Sequence, residues 1–237
     1  MRTALMATAA AGIGFIAPFI SLASIDAHYR SSLAAMASCQ SAAFASAGIQ
    51  AFLHSGCLLG AVRHGDWIPH DRITQGNGDV DFGIILDRNR EQETLRRMRV
   101  ISHRLCGHFI IHRNDWFSES VMRYLGWPGA YGVRSSFARV YSWALPFAYL
   151  DLDTYSDCGA GDGTVLCVRE SDDPTQRLHP SGVASSKPRI LRSDILPISN
   201  CSFAGQTVSC PANPAAVLNA QYGADWRTPR DRNGNVL

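Results

Sequence analysis

The sequence has little net charge and no concentrated basic region. Its 237 residues include 22 Lys+Arg and 20 Asp+Glu, a formal net charge of +2, and charged residues make up only 18% of the chain. The densest arginine group, at positions 96, 97 and 99, shares a helical pattern with Glu91 and Glu93, as on a solvated helix face. Nucleic-acid binding usually requires a clustered basic surface, so we do not expect a nucleic-acid partner.

The sequence also lacks an internal repeat and a regular alternation of strands and helices. Hydrophobic residues make up 46% of the chain, which indicates a globular protein rather than a disordered one. The length is enough to bury one sizeable core. Helical and strand-like segments are mixed irregularly, which predicts the α+β class with a mixed sheet flanked by helices.

A long uncharged run opens the chain. Residues 3–24 carry no charge, and about twenty residues is the length of a membrane-spanning helix. The run also fits a signal peptide, because Arg2 precedes it and Ser21 and Ala23 stand at cleavage spacing. A buried helix of a soluble core is the third alternative. We predict a hydrophobic N-terminal helix over 1–24, as a signal anchor or a cleaved signal peptide, and one domain over 25–237. That domain would lie in the Golgi or ER lumen, or be secreted after cleavage.

Four of the seven cysteines form two pairs with the same local spacing. Cys158 and Cys167 flank a glycine- and aspartate-rich segment, and Cys201 and Cys210 flank a short hairpin. Such pairs are typical of disulfides in an oxidising compartment. One zinc ion bound by all four is an alternative, although the CxxC spacing of zinc ribbons is missing. Reduced buried thiols are another, and the sequence leaves the connectivity open.

Hydrophobic periodicity predicts the order of the secondary-structure elements. The segment 55–71 is predicted as turns because of its three glycines, and 73–78 as an exposed loop. In the main amphipathic helix, the apolar stripe consists of Leu95, Met98, Ile101 and Leu105. The predicted elements are a helix over 31–53, a strand over 80–86, a helix over 87–106, strands over 109–112, 136–142 and 147–154, further strands around 164–170 and 201–210, and a last helix from 213 to 223.

Two aspartates stand at the start of the apolar strand over 80–86. Residues two apart in a strand point to the same face, so Asp79 and Asp81 would project side by side. Two neighbouring carboxylates repel each other unless a cation lies between them, and Mg²⁺ or Mn²⁺ prefers such oxygen ligands. A surface pair of aspartates without a metal is the alternative.

Two further segments favour a metal site. Asp151 and Asp153 lie on one face of a second predicted strand, and one of them could accept a proton from an attacking hydroxyl. Upstream, the small residues around Gly56 and Gly60 would let backbone N–H groups approach a phosphate.

These residues resemble a known family. The string GCLLGAVRHGDWIPHD followed by DVDFGI is similar to the LicD/fukutin block G-T-L-L-G-A-x-R-x-G that leads into D-x-D. The tail ILPISNCSFAGQTVSCPANPAAVLNAQYGADWRTP resembles the closing pattern of the same family, so the resemblance spans roughly 53–229.

The resemblance implies a nucleotidyltransferase-like fold and an activity. Members of this family transfer a phospho-alcohol, such as ribitol phosphate or phosphocholine, from a CDP-linked donor to a glycan with a divalent metal. By position, Asp79, Asp81 and Asp151 would bind Mg²⁺ or Mn²⁺, and Asp153 is a weaker match at the later strand. The block before them would contact substrate through Gly56, Cys57, Gly60, Arg63 and His64, with Arg63 a candidate for a phosphate contact and His64 for a structural role.

The chain departs from the family pattern at two places. Cys57 stands where the family has Thr, and the segment RITQGNG separates Asp71 from Asp79, which puts any metal-binding role of Asp71 in doubt. These departures keep an alternative open, a non-catalytic member that binds a glycan or escorts a partner enzyme. Transfer of a nucleotide itself to a small molecule or RNA is a further alternative, which the uncharged N-terminus and the lack of a basic surface disfavour.

Overall fold

The computed structural model describes residues 22–69, 79–113, 115, 124, 136–158, 163–168, 188–229 and 236. Helices and strands follow one another irregularly, with a 3-10 turn over Arg88–Arg90. The helices are α1 (Leu22–Ser46), α2 (Ser55–His64), α3 (Glu91–Cys106), α4 (Arg192–Ile195) and α5 (Pro214–Tyr222). The strands are β1 (Ala51–Leu53), β2 (Val80–Ile85), β3 (Phe109–His112), β4 (Ala138–Ser142), β5 (Leu145–Asp157), β6 (Val165–Val168), β7 (Arg189–Leu191), β8 (Ser199–Phe203) and β9 (Gln206–Cys210).

Seven of these strands form one mixed sheet in the order β1-β2-β5-β4-β3, with β6 pairing the end of β5 and β7 pairing β6. The β2–β5 pair is parallel, and the other pairs are antiparallel. β8 and β9 form a separate hairpin. The mixed sheet and its flanking helices confirm the predicted α+β class.

Alternation along the two central strands separates the core from the polar face. Val80, Phe82 and Ile84 are buried, and so are their partners Leu150 and Leu152 on β5. They share one hydrophobic core with residues of α1 and α3. The residues between them, Asp81, Asp151 and Asp153, therefore point to the opposite face of the sheet.

Three disulfides join elements of this fold. Cys158 is bonded to Cys167 and Cys201 to Cys210, as the spacing predicted, so the zinc alternative is wrong. A third bond joins Cys39 of α1 to Cys106 of α3, which the spacing did not indicate.

The structure corrects three predictions of local structure. The helix predicted over 31–53 is two elements, because α1 ends at Ser46 and β1 begins at Ala51. Most of the segment predicted as turns is α2, which tolerates Gly60 and ends at Gly65 in the left-handed conformation that glycine favours. Leu105 is 53% exposed rather than part of the buried stripe, since it lies in the last turn of α3, beyond the part of the helix that packs on the core.

The N-terminal anchor was predicted over 1–24, and residues 1–21 lie outside the described residues, as do the loop at 73–78 and Asp71. Residues 22–24 belong to the start of α1. Among the residues that are described, no helix combines the length and the apolar character needed to cross a bilayer.

Candidate active site

Three carboxylates converge on the polar face of the sheet. One carboxylate oxygen from each of Asp79, Asp81 and Asp151 can be chosen so that all lie within 4.8 Å of one another. The parallel pairing of β2 with β5 sets Asp81 directly beside Asp151, and Asp79 lies two residues before Asp81 on the same face. The predicted convergence of carboxylates from two neighbouring strands is present.

Strand register arranges the surroundings of this cluster in two rows across the sheet. One row runs from Asp81 through Asp151 and Arg139 to Ile111. The next row continues from Asp79 toward Tyr149, Tyr141 and Phe109, whose rings pack in sequence. The first row begins at Asp81 and the second at Asp79, so the aspartates lie at one side of the sheet. Arg139 and the aromatic side chains border them.

Asp151 is held by a buried ion pair. The Arg139 Nε lies 2.5 Å from Asp151 Oδ1, and Nη2 lies 3.3 Å from Oδ2. Burial raises the pKa of Asp151 to about 7, with the charges of Asp79 and Asp153 acting in the same direction, while Arg139 opposes the rise. Burial disfavours the charge on Arg139, but Asp151 outweighs it and the arginine pKa is raised. Arg139 is therefore charged, and Asp151 is the group of the pair whose protonation changes near neutral pH.

The charge count fits a divalent cation. Three carboxylates and one buried guanidinium leave two negative charges at full ionisation, and all the ligand atoms are oxygens, which suit Mg²⁺ or Mn²⁺. The residues present therefore fit the metal that the family resemblance implies.

Tyr149 borders the cluster beside Arg139. The guanidinium carbon of Arg139 lies 4.1 Å from the centre of the Tyr149 ring, which gives a favourable cation–π contact. Burial raises the pKa of Tyr149 to about 12; Arg139 opposes this rise and Asp79 adds to it. The phenol is therefore neutral at physiological pH and can donate a hydrogen bond at the rim of the site.

The start of α2 anchors the two aspartates of β2. The buried Cys57 thiol donates to the Asp79 carbonyl at 3.5 Å and accepts from the Asp81 N–H at 3.4 Å. His54, just before α2, donates its backbone N–H to the Asp81 carbonyl. Cys57 thus contacts the backbone of both aspartates, and its predicted contact with substrate stays a prediction.

Asp153 lies on the same face but outside the three-carboxylate cluster. Its Oδ2 is 3.1 Å from Nε2 of the buried His54. The contact lacks hydrogen-bond geometry, and Nε2 has no hydrogen-bond partner among the described residues. The two side chains are nevertheless in direct contact, because a distance of 3.1 Å leaves no room for another group between them.

The remaining predicted residues lie along α2. Gly56 is in its first turn, one residue before Cys57, whereas Arg63 and His64 are in its last turn, about 12 Å along the axis from Ser55. A Cβ on Gly60 would come within 2.5 Å of the Asp66 carbonyl oxygen, so this glycine allows the chain after α2 to pack closely. Substrate contacts by these residues stay predictions.

Sequence reasoning missed His54 and Arg139. Neither is part of a spaced motif, and each meets its carboxylate only through strand register: Arg139 faces Asp151 across the β4–β5 pair, and His54 lies beside Asp153 just after β1. The one available signal was Arg139 as the charged residue of the strand predicted over 136–142, since a buried charge requires a partner.

Comparisons with known proteins bear on the same segment. No protein of curated function matches the chain. One solved structure to which the chain is similar is the "Crystal Structure of ANT(2")-Ia in complex with adenylyl-2"-tobramycin", at 14% identity over 79% of this chain and 73% of that chain, with a TM-score of 0.37. That score is too low to support an argument.

The family model that matches is described as LicD/FKTN/FKRP, nucleotidyltransferase domain, and it covers residues 48–158. The match runs from the approach to β1 through the end of β5, so it includes all three converging carboxylates and the block at the start of α2. The resemblance of the tail lies outside it and stays a prediction. Over residues 48–158 this chain carries the nucleotidyltransferase domain of the LicD/FKTN/FKRP family.

Proposed function

We propose that the protein transfers a phospho-alcohol of the ribitol phosphate or phosphocholine type from a CDP-linked donor to a glycan, with a divalent metal. The observation that carries this proposal is the convergence of Asp79, Asp81 and Asp151 within a nucleotidyltransferase domain of this family.

Each residue of the site has a separate role in this proposal. Asp79, Asp81 and Asp151 would hold Mg²⁺ or Mn²⁺, which when bound neutralises charge on the donor diphosphate. Arg139 orients Asp151 by donating hydrogen bonds to both of its carboxylate oxygens. The first turn of α2, with Gly56, contacts the backbone of Asp79 and Asp81 through Cys57, and a helix N-terminus favours a phosphate.

The reaction exchanges one phosphorus–oxygen bond for another. An acceptor hydroxyl oxygen bonds to the phosphorus that carries the alcohol, and the bond from that phosphorus to the CMP oxygen breaks. The hydroxyl proton passes to Asp153, which is 24% exposed on the same face and is not committed to the cluster. CMP leaves as the phosphate anion.

Location and membrane attachment are part of the proposal. We propose that residues 1–24 attach the protein to a membrane of the secretory pathway, with the catalytic domain in the Golgi or ER lumen. The three disulfides support an oxidising compartment.

The test is release of CMP from CDP-ribitol or CDP-choline with Mn²⁺ or Mg²⁺ and a range of glycans. We expect release that stops when the metal is chelated and that is lost in Asp81→Ala while the variant stays folded. Asp87→Ala, at the other end of β2, is the matched control and should keep activity.

Absence of CMP release with every CDP-alcohol tried would contradict the proposal. Equal cellular activity of the wild type and an Asp79→Ala/Asp81→Ala double variant would instead favour the non-catalytic alternative.

A further inference from the structure

A chain of polar contacts runs behind Asp153 from the C-terminal helix to the site. Gln221 of α5 donates its Nε2 to the Tyr155 hydroxyl at 3.1 Å. That hydroxyl lies 3.4 Å from Nδ1 of His54, and the Ser55 hydroxyl lies 3.0 Å from the same nitrogen. The other ring nitrogen of His54 faces Asp153.

The partners fix the orientation and tautomer of His54. Nε2 faces a carboxylate, which can only accept a hydrogen bond when ionised, so the proton of the neutral ring belongs on Nε2. Nδ1 is then an acceptor with one lone pair, to which the Tyr155 or the Ser55 hydroxyl can donate. Burial raises the pKa of Tyr155, and Asp153 adds to the rise, so its hydroxyl keeps its proton.

The backbone holds this arrangement in place. His54 is an extended residue at the start of α2, and Ser55 adopts a φ of 51°, unusual for a residue other than glycine. Gly83 leaves the space that the Tyr155 ring occupies, because a Cβ there would come within 2.6 Å of the ring. His54 is 3% exposed and Asp153 is 24% exposed, so the histidine lies behind the carboxylate and cannot itself reach a substrate.

We infer that His54 is a positioning residue: it holds Asp153 so that one carboxylate oxygen faces the acceptor hydroxyl, and Tyr155 and Gln221 hold His54. This inference rests on the proposed function, in which Asp153 takes the acceptor proton. The lack of hydrogen-bond geometry in the His54–Asp153 contact fits this role, because catalytic contacts are often misaligned before substrate binds and tighten in the complex.

The experiment compares His54→Leu, which removes both nitrogens, with His54→Gln, whose amide can place an N–H near the position of Nε2. The matched control is His108→Leu, another buried histidine, whose Nδ1 lies 3.3 Å from the side-chain oxygen of Gln40 of α1. Transfer to a glycan is measured with Mn²⁺, and kcat is separated from the KM of the CDP-alcohol. Melting temperature is recorded for each variant.

We expect His54→Leu to lower kcat about 100-fold with the donor KM unchanged, because a small misplacement of a catalytic group has this effect. His54→Gln should recover most of that loss, and His108→Leu should keep wild-type kcat. Equal kcat in all variants overturns the inference, and so does a loss in His54→Leu that His54→Gln shares in full.

A second readout needs no activity and separates this inference from the proposed function. In ¹⁵N-labelled protein, the His54 signals, assigned by their loss in His54→Gln, should report a proton on Nε2 in the wild type and a redistribution toward Nδ1 in Asp153→Ala. If the wild type proves inactive with every donor, the proposed function fails, and this measurement still decides the His54–Asp153 contact. An unchanged tautomer in Asp153→Ala overturns it.

Discussion

Replacing Arg139 with Met tests the electrostatic account of the site most directly. The variant keeps much of the side-chain volume but removes the charge that faces Asp151, which is 7% exposed and lies beside Asp79 and Asp81. Removing one partner of a buried ion pair costs about 3–5 kcal/mol. For a chain of this size, that loss corresponds to a decrease in melting temperature of roughly 6–20 °C.

The penalty should depend on pH in a defined direction. Without Arg139, the pKa of Asp151 rises further above its usual value. An acid whose pKa is raised in the folded state lowers the free energy of unfolding at pH values above that pKa. This decrease in stability disappears as the pH falls toward the unfolded-state pKa of about 4. At low pH the variant should therefore retain only the cost of the missing hydrogen bonds, about 1–3 kcal/mol.

The assay is urea denaturation of the metal-free protein at about pH 8 and about pH 5.5, with a double-mutant cycle that adds Asp151→Asn. The control is Arg99→Met, which breaks the ion pair between Arg99 and Asp115. The side chain of Arg99 is 39% exposed and that of Asp115 is 29% exposed. That pair should contribute about 0–1 kcal/mol at either pH. An Arg139→Met variant as stable as Arg99→Met, or one whose loss is the same at both pH values, would refute the reasoning.

Two further predictions concern the metal and the packing of α2. Because the pKa of Asp151 is raised to about 7 and a metal ligand must be deprotonated, Mn²⁺ affinity should fall by up to about tenfold per pH unit below pH 7; calorimetric titration checks this, and a flat profile between about pH 5.5 and 8 contradicts it. Gly60→Ala should destabilise the fold by about 1–3 kcal/mol through overpacking; denaturation measures the change, and wild-type stability would show that the loop after α2 moves aside freely.

The acidic pair and its strand could be predicted because the information is local. Alternation of Asp79, Val80, Asp81 and Phe82 fixes which face each side chain takes once the strand exists, whatever its neighbours are. Asp151 could be assigned to the site in the same way, from a second alternating strand. Both assignments needed only the guess that the two strands are adjacent.

The helix α2 was not predicted because its glycines are a stronger local signal for turns than its apolar residues are for a helix. Tertiary packing decided otherwise: Leu58 and Leu59 are buried in the main core, and Gly60 fits against the chain that follows. Gly65 ends the helix rather than preventing it. Composition alone gives no measure of such contacts.

The partners of the carboxylates could not be predicted because they depend on the register in which the strands pair. Arg139 meets Asp151 only because β4 pairs with β5 at that position. His54 meets Asp153 through the end of β1 and the start of α2. A shift of one residue in either pairing would turn these side chains to the other face.

The parallel pairing of β2 with β5 also determines when the site can form during synthesis. Asp81 and Asp151 become neighbours only after the whole segment between them has been made and has crossed back over the sheet. A nascent chain that ends before β5 carries two of the three ligands and cannot gain stability from the cation that the finished site would bind. Contacts so far apart in sequence form late and slowly, so a cation bound there would stabilise the domain only after these strands have paired.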